Sequence, residues 1–189
     1  MSQHVSYRNS FRQIMNAFSY PGKIEKIEVR QNYHTFLNDV TMEVLIALLD
    51  PEVSYHLLNG ESYTMQEIAL YTSSRHKDVD VSDFLVVSQK NYNCDLAKVL
   101  THLKKGSLEN PHESATVIIE VDKLSEVKKL ELKGPGINDV NYISIPNSEY
   151  WLDIRRTINQ EFPIGVDFIF VDSTNSCIAV PRTTIIEEV

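Results

Sequence analysis

Asp167 interrupts an otherwise apolar run, IGVDFIFV (164–171). A carboxylate set among such residues must find a partner or shift its pKa. Arg182 follows Pro181 directly after the apolar CIAV, and Arg155 and Arg156 stand side by side on the preceding helical segment. An aspartate–arginine pair inside a sheet has two uses. It binds an anion, with the carboxylate orienting the guanidinium, or it only ties strands together. The ligand-binding candidates are therefore Arg182, Arg155 and Arg156, with Asp167 as orienter. No residue declares itself catalytic.

The other reactive types are scattered. Six histidines, His4, His34, His56, His76, His102 and His112, form no HxH or HExxH pair, and no carboxylate completes a ligand set. No metal is expected. No serine lies in a Gly-x-Ser-x-Gly elbow. Cys94 and Cys177 are far apart and make no CxxC, and two thiols cannot hold an iron–sulfur cluster alone. Both read as buried structural thiols, Cys94 in a helix and Cys177 in a strand. The stretch LELKGPGINDVNYISI (130–145) places Gly134-Pro135-Gly136 between two strand-like segments. A phosphate loop needs converging backbone N–H groups, usually at a helix N-terminus, and proline has none to give. No Gly-Lys-Ser/Thr and no helix follow, so the segment reads as a turn.

These residues require elements to hold them. Tyr7, Phe11, Ile14, Met15 and Phe18 recur at helical spacing and form an apolar stripe that ends at Pro21-Gly22. A short strand follows in KIEKIEV. NDVTMEVLIALLDP reads as a helix capped by Asp39 or Thr41 and stopped by Pro51. VSYHLL is a strand before the Asn59-Gly60 turn, TMQEIALYT a helix and DFLVVS a buried strand. NCDLAKVLTHLKKG is an amphipathic helix with Gly106 as its cap, and SATVIIEV is a strand. NSEYWLDIRRTINQEF reads as a helix ending before Pro163. The remaining segment forms strands separated by residues 173–176 and by Pro181. Alternating helices and strands, with hairpins late, give one α/β domain over residues 1–189 with a mixed sheet.

A chain of 189 residues buries roughly 70% of its unfolded surface as one domain. Apolar residues make up 42%, and no run approaches the roughly 20 that a membrane helix needs. MSQHVSYRNSFRQ lacks the apolar region of a secretory signal, so a cytoplasmic protein is expected. A net charge of −8 argues against a broad nucleic-acid footprint, though not against a local anion site.

Five segments in order resemble the PhnH family of the bacterial carbon–phosphorus lyase system: FRQIMNAFSYPG (11–22), GSLENPHESATVIIEV (106–121), LELKGPGI (130–137), FPIGVDFIFV (162–171) and IAVPRTTIIEEV (178–189). The resemblance implies a fold and a setting. Its fold is a three-layer α/β/α arrangement similar to a shortened pyridoxal-phosphate-dependent aminotransferase without the cofactor. Its setting is a core assembly with PhnG, PhnI and PhnJ type subunits. That assembly moves a phosphonate onto C1′ of ATP, releasing adenine and giving α-D-ribose 1-methylphosphonate 5-triphosphate. A homodimer is also implied. The cofactor's absence is testable, because pyridoxal enzymes set an aspartate against the pyridine nitrogen and a Schiff-base lysine further along. Asp167 could imitate the aspartate, yet no lysine occurs after Lys133.

Three functions compete on these grounds: an accessory subunit working through protein contacts, a homodimer that binds a small anion such as a phosphonate or nucleotide, and a stand-alone enzyme.

Overall fold

The computed structural model describes residues 3–91 and 95–189. In chain order the elements are α1 (Gln3–Ser19), β1 (Glu25–Lys26), α2 (Asp39–Leu48), β2 (Ser54–Leu57), α3 (Ser62–Thr72), β3 (Arg75–His76), β4 (Phe84–Val87) and α4 (Asp95–Thr101). They continue with β5 (Thr116–Val121), β6 (Ser125–Lys133), β7 (Asn141–Ser144), α5 (Leu152–Ile158), β8 (Asp167–Asp172), β9 (Ser176–Val180) and β10 (Ile185–Glu188).

Seven strands form one mixed sheet in the order β1-β9-β8-β5-β4-β2-β3. From β8 to β3 the neighbours run parallel, while β9 and β1 are antiparallel. The inner strands are apolar on both faces, as parallel strands covered on both sides must be. Side chains alternate between the faces. Val117, Ile119 and Val121 of β5 meet Leu96 and Leu100 of α4 and Trp151 and Leu152 at the start of α5. Ile118 faces the other way, into a cluster with Ile14 of α1, Val40 and Val44 of α2 and Ile68 of α3. A second, three-stranded antiparallel sheet, β10-β6-β7, shares the α4–α5 side.

Several local expectations shift. On α1 the buried positions are Ser10, Ile14 and Ala17, spaced by four and three, while Phe11 and Met15 are exposed. Of the stripe residues whose side chains are described, Ile14 and Phe18 pack on the core and Phe11 and Met15 do not; the Tyr7 side chain lies outside the described ones. The cap of α2 is Asn38, which is extended at φ −62° and ψ 145°. Asp39 instead accepts the Tyr33 N–H at 2.7 Å, and the Thr41 hydroxyl donates to Glu120 at 2.6 Å. The strand expected over KIEKIEV reduces to Glu25–Lys26. Helix α4 stops at Thr101, so Gly106, at φ +74°, serves a loop that packs on Pro111 rather than a cap. The helix expected from residue 147 begins only at Leu152, because Asn147 is left-handed and a 3₁₀ turn, Ser148–Tyr150, intervenes. Cys94 lies outside the described residues.

Candidate functional site

Antiparallel pairing of β8 with β9 sets Phe168 opposite Val180. The residue before one and the residues after the other are therefore neighbours, which brings Arg182 to Asp167. The Asp167 carboxylate accepts the Arg182 backbone N–H at 2.7 Å, Nε at 3.2 Å and Nη2 at 2.6 Å. Nη1 of Arg182 donates to the Pro111 carbonyl at 2.8 Å. The fork is bidentate and every branch of it is engaged.

Arg155 and Arg156 are consecutive on α5, so their side chains leave the helix about 100° apart. Arg155 goes inward and is 2% exposed. Its Nη2 donates to the Pro181 and Thr184 carbonyls at 2.7 and 3.0 Å, and its guanidinium lies 5.8 Å from the centre of the Phe168 ring. Nε has no partner, and no carboxylate is within ion-pair distance of Arg155 among the described residues. Burial lowers its pKa to about 10 against the pull of nearby Asp167, so it stays charged at neutral pH. Arg156 stays half-exposed. It donates through Nε and Nη2 to the Ile186 carbonyl at 3.3 and 3.2 Å, and through Nη1 to Asp153 at 3.0 Å.

The register explains those acceptors. Ile185 opposes Lys133 on β6, and the Val189 N–H donates to the Lys129 carbonyl. Odd-numbered residues of β10 therefore bond β6, and the carbonyls of Thr184 and Ile186 point off the sheet edge toward α5. The two arginines cover an edge that would otherwise lie open.

Between α5, β10 and the 134–136 turn lies a cavity of about 660 Å³. Arg155, Arg156 and Arg182 line it, with Phe162, Ile185 and Pro135 as apolar wall. Three of the four expected site residues thus share one cavity, and Asp167 stands behind Arg182. Thr184, also lining it, was not foreseen. It is 2% exposed and its hydroxyl has no partner. Nothing in the sequence marks it, because a threonine two residues after an arginine carries no pattern.

The glycine turn closes one side. Gly134 and Gly136 have φ of +140° and +82°. The Ile137 N–H closes the turn on the Gly134 carbonyl at 3.2 Å. A Cβ on Gly136 would stand 2.3 Å from the Ser19 carbonyl, and one on Gly134 would stand 3.0 Å from that of Thr183. The residues are glycine because backbone passes against backbone there.

Other buried ionisable groups are absorbed by the fold. Glu120 of β5 accepts the Asn38 N–H and the Thr41 hydroxyl, both at 2.6 Å, and the Gln89 N–H at 3.2 Å. Burial outweighs these donors and raises its pKa. Glu43 is held by Arg30 and Tyr33. Burial pushes the Cys177 thiol up to about 12, which leaves it unreactive. Among the described residues, no three His, Cys, Asp or Glu side chains gather as metal ligands. A pyridoxal site does not fit either. Arg182 occupies both Asp167 oxygens, and no lysine follows Lys133.

A family model described as bacterial phosphonate metabolism protein (PhnH) matches residues 2–187. A Stutzerimonas stutzeri protein named as C-P lyase subunit HtxG is 31% identical over 179 residues, covering 94% of this chain and 84% of that protein. A protein of Rhizobium meliloti (strain 1021), named alpha-D-ribose 1-methylphosphonate 5-triphosphate synthase subunit PhnH, is 24% identical over 181 residues, covering 94% and 88%.

Proposed function

Because the chain belongs to the PhnH family of bacterial phosphonate metabolism proteins, we propose that it is a subunit of a carbon–phosphorus lyase assembly. In that assembly it contributes to making α-D-ribose 1-methylphosphonate 5-triphosphate from ATP and methylphosphonate, with release of adenine. The observation that carries this reading is the agreement of the family match with two relatives, each named as a subunit.

The site geometry supports an accessory role over a catalytic one. Arg182 is committed to Asp167 and Pro111, and Arg156 to Ile186 and Asp153. No described side chain pairs a nucleophile with a base in the cavity. The chain works as one domain through contacts with PhnG, PhnI and PhnJ type subunits, in the cytoplasm where ATP is made. A homodimer in the absence of those subunits belongs to the same reading. No helix among the described residues is long and apolar enough to cross a membrane. The seven-stranded mixed sheet with helices on both faces is compatible with a shortened aminotransferase-like core without its cofactor.

Reconstitution tests this. Adenine release from ATP and methylphosphonate is measured with the PhnG, PhnI and PhnJ type subunits, with and without this chain, and with this chain alone. We expect release only from the complete mixture. Equal release without the chain, or turnover by the chain on its own, overturns the reading.

A further inference from the structure

Helix α1 turns a stripe of unusual composition to solvent. Arg8, Phe11, Arg12, Met15 and Ser19 are all exposed, Phe11 by 47% and Met15 by 36%. Spacings of three and four residues set them within an arc of about 100° and along about 16 Å of helix. Ser10, Ile14 and Ala17 hold the other side of α1 against the core, so the stripe has no core to turn to. The helix contains no aspartate or glutamate. Neither Arg8 nor Arg12 has an ion-pair or hydrogen-bond partner among the described residues. Arg30, Arg155, Arg156 and Arg182 are by contrast each held by carboxylates or carbonyls. A single exposed apolar side chain is ordinary. Phenylalanine, methionine and two uncompensated arginines on one stripe match the composition of a protein interface, where such groups carry most of the binding.

Charge decides what covers the stripe. A second copy packed on it by twofold symmetry would bring four guanidiniums together with no carboxylate on either helix. Nucleic acid is repelled by the net −8 and is offered only two cations. A membrane surface is offered only Phe11 and Met15 among the described side chains of α1, too little apolar area to hold it. What fits is a protein segment bearing carboxylates and apolar side chains together.

We propose that this stripe of α1 is the docking face for an acidic segment of a companion subunit. Carboxylates of that segment pair with Arg8 and Arg12, one helical turn apart, and its apolar side chains enclose Phe11 and Met15. The inference deepens the subunit reading and rests on it, adding which face binds and what chemistry the partner presents.

The full chain, with p-benzoylphenylalanine in place of Phe11, is irradiated together with the PhnG, PhnI and PhnJ type subunits, and the joined peptides are sequenced. We expect capture of one of those subunits at a segment rich in aspartate and glutamate. Capture of a second copy of this chain, or of a lysine- and arginine-rich segment, overturns the proposal. Binding of the subunits to immobilised chain gives the second readout. Arg8→Glu combined with Arg12→Glu should weaken it about a hundredfold and Phe11→Ala about tenfold, whereas Arg8→Lys with Arg12→Lys, which keeps the charge, should weaken it about threefold. Thermal unfolding should change little, because all three side chains are exposed. If the parent binds the subunits and the variants bind equally well, the α1 face is removed and the subunit reading stands. If the parent binds none of them, the subunit reading falls and the face falls with it.

Discussion

Asp172 shows at the scale of one residue how this chain holds its sheet. It ends β8 fully buried and accepts four hydrogen bonds, from the backbone N–H groups of Leu124, Thr174 and Ser176 at 2.8, 2.8 and 3.0 Å and from the Thr174 hydroxyl at 2.7 Å. Burial alone pushes its pKa up, but these donors outweigh it and the net shift is downward. A depressed folded-state pKa means the stabilisation is present above the unfolded value, about 3.9, and lost as pH falls through the folded value. Asp172→Asn is therefore expected to cost about 1–3 kcal/mol at pH 7 by urea denaturation. Repeated at falling pH, the gap between parent and variant should stay constant down to about pH 5 and then narrow. A gap independent of pH would mean the carboxylate's charge does not matter. Sequence showed Asp167 because an apolar run surrounds it, and a pair with Arg182 was expected either to bind an anion or to tie strands together. It did not show Asp172, since DSTNS reads as any polar turn until β9 folds back and brings its N–H groups to the carboxylate.

At the scale of elements, local pattern and distant contact part company. The hairpin of β6 and β7 was legible because LELK and NDVNYISI alternate around a glycine-rich turn, and its strands pair Leu130 with Ile143 and Leu132 with Asn141. The docking of β10 on the far edge of β6 was not, because that contact joins residues about fifty apart and no local signal reports it. The cavity exists because of that docking. Arg155 and Arg156 could be named from sequence, yet what they bond depends on which edge of β10 faces α5. The turn between β6 and β7 carries its own test. Alanine at Gly136 meets both a left-handed φ and the Ser19 carbonyl at the end of α1. Gly136→Ala should lower stability by about 2 kcal/mol or more, read as a drop in denaturation midpoint without a change in slope. An unchanged midpoint would show that α1 yields there and that the turn is not clamped.

Across the whole molecule, charge is the property that bears on partners. The chain carries −8 at pH 7, and four of its cations are engaged within it: Arg155 and Arg182 in the cavity wall, Arg30 against Glu43, and Lys104 against Asp83 at 2.5 Å. An acidic body meets a basic companion with electrostatic steering, which acts on the association rate far more than on dissociation. If the chain works by contact with the other subunits, its association with them should slow about tenfold between about 50 and 300 mM salt, with dissociation nearly constant. Surface-immobilised chain exposed to the PhnG, PhnI and PhnJ type subunits gives both rates directly. A salt-independent association rate would remove charge from the recognition and throw it onto shape. In that case exposed apolar side chains such as Leu70 on α3 and Phe11 on α1 become the groups to substitute first.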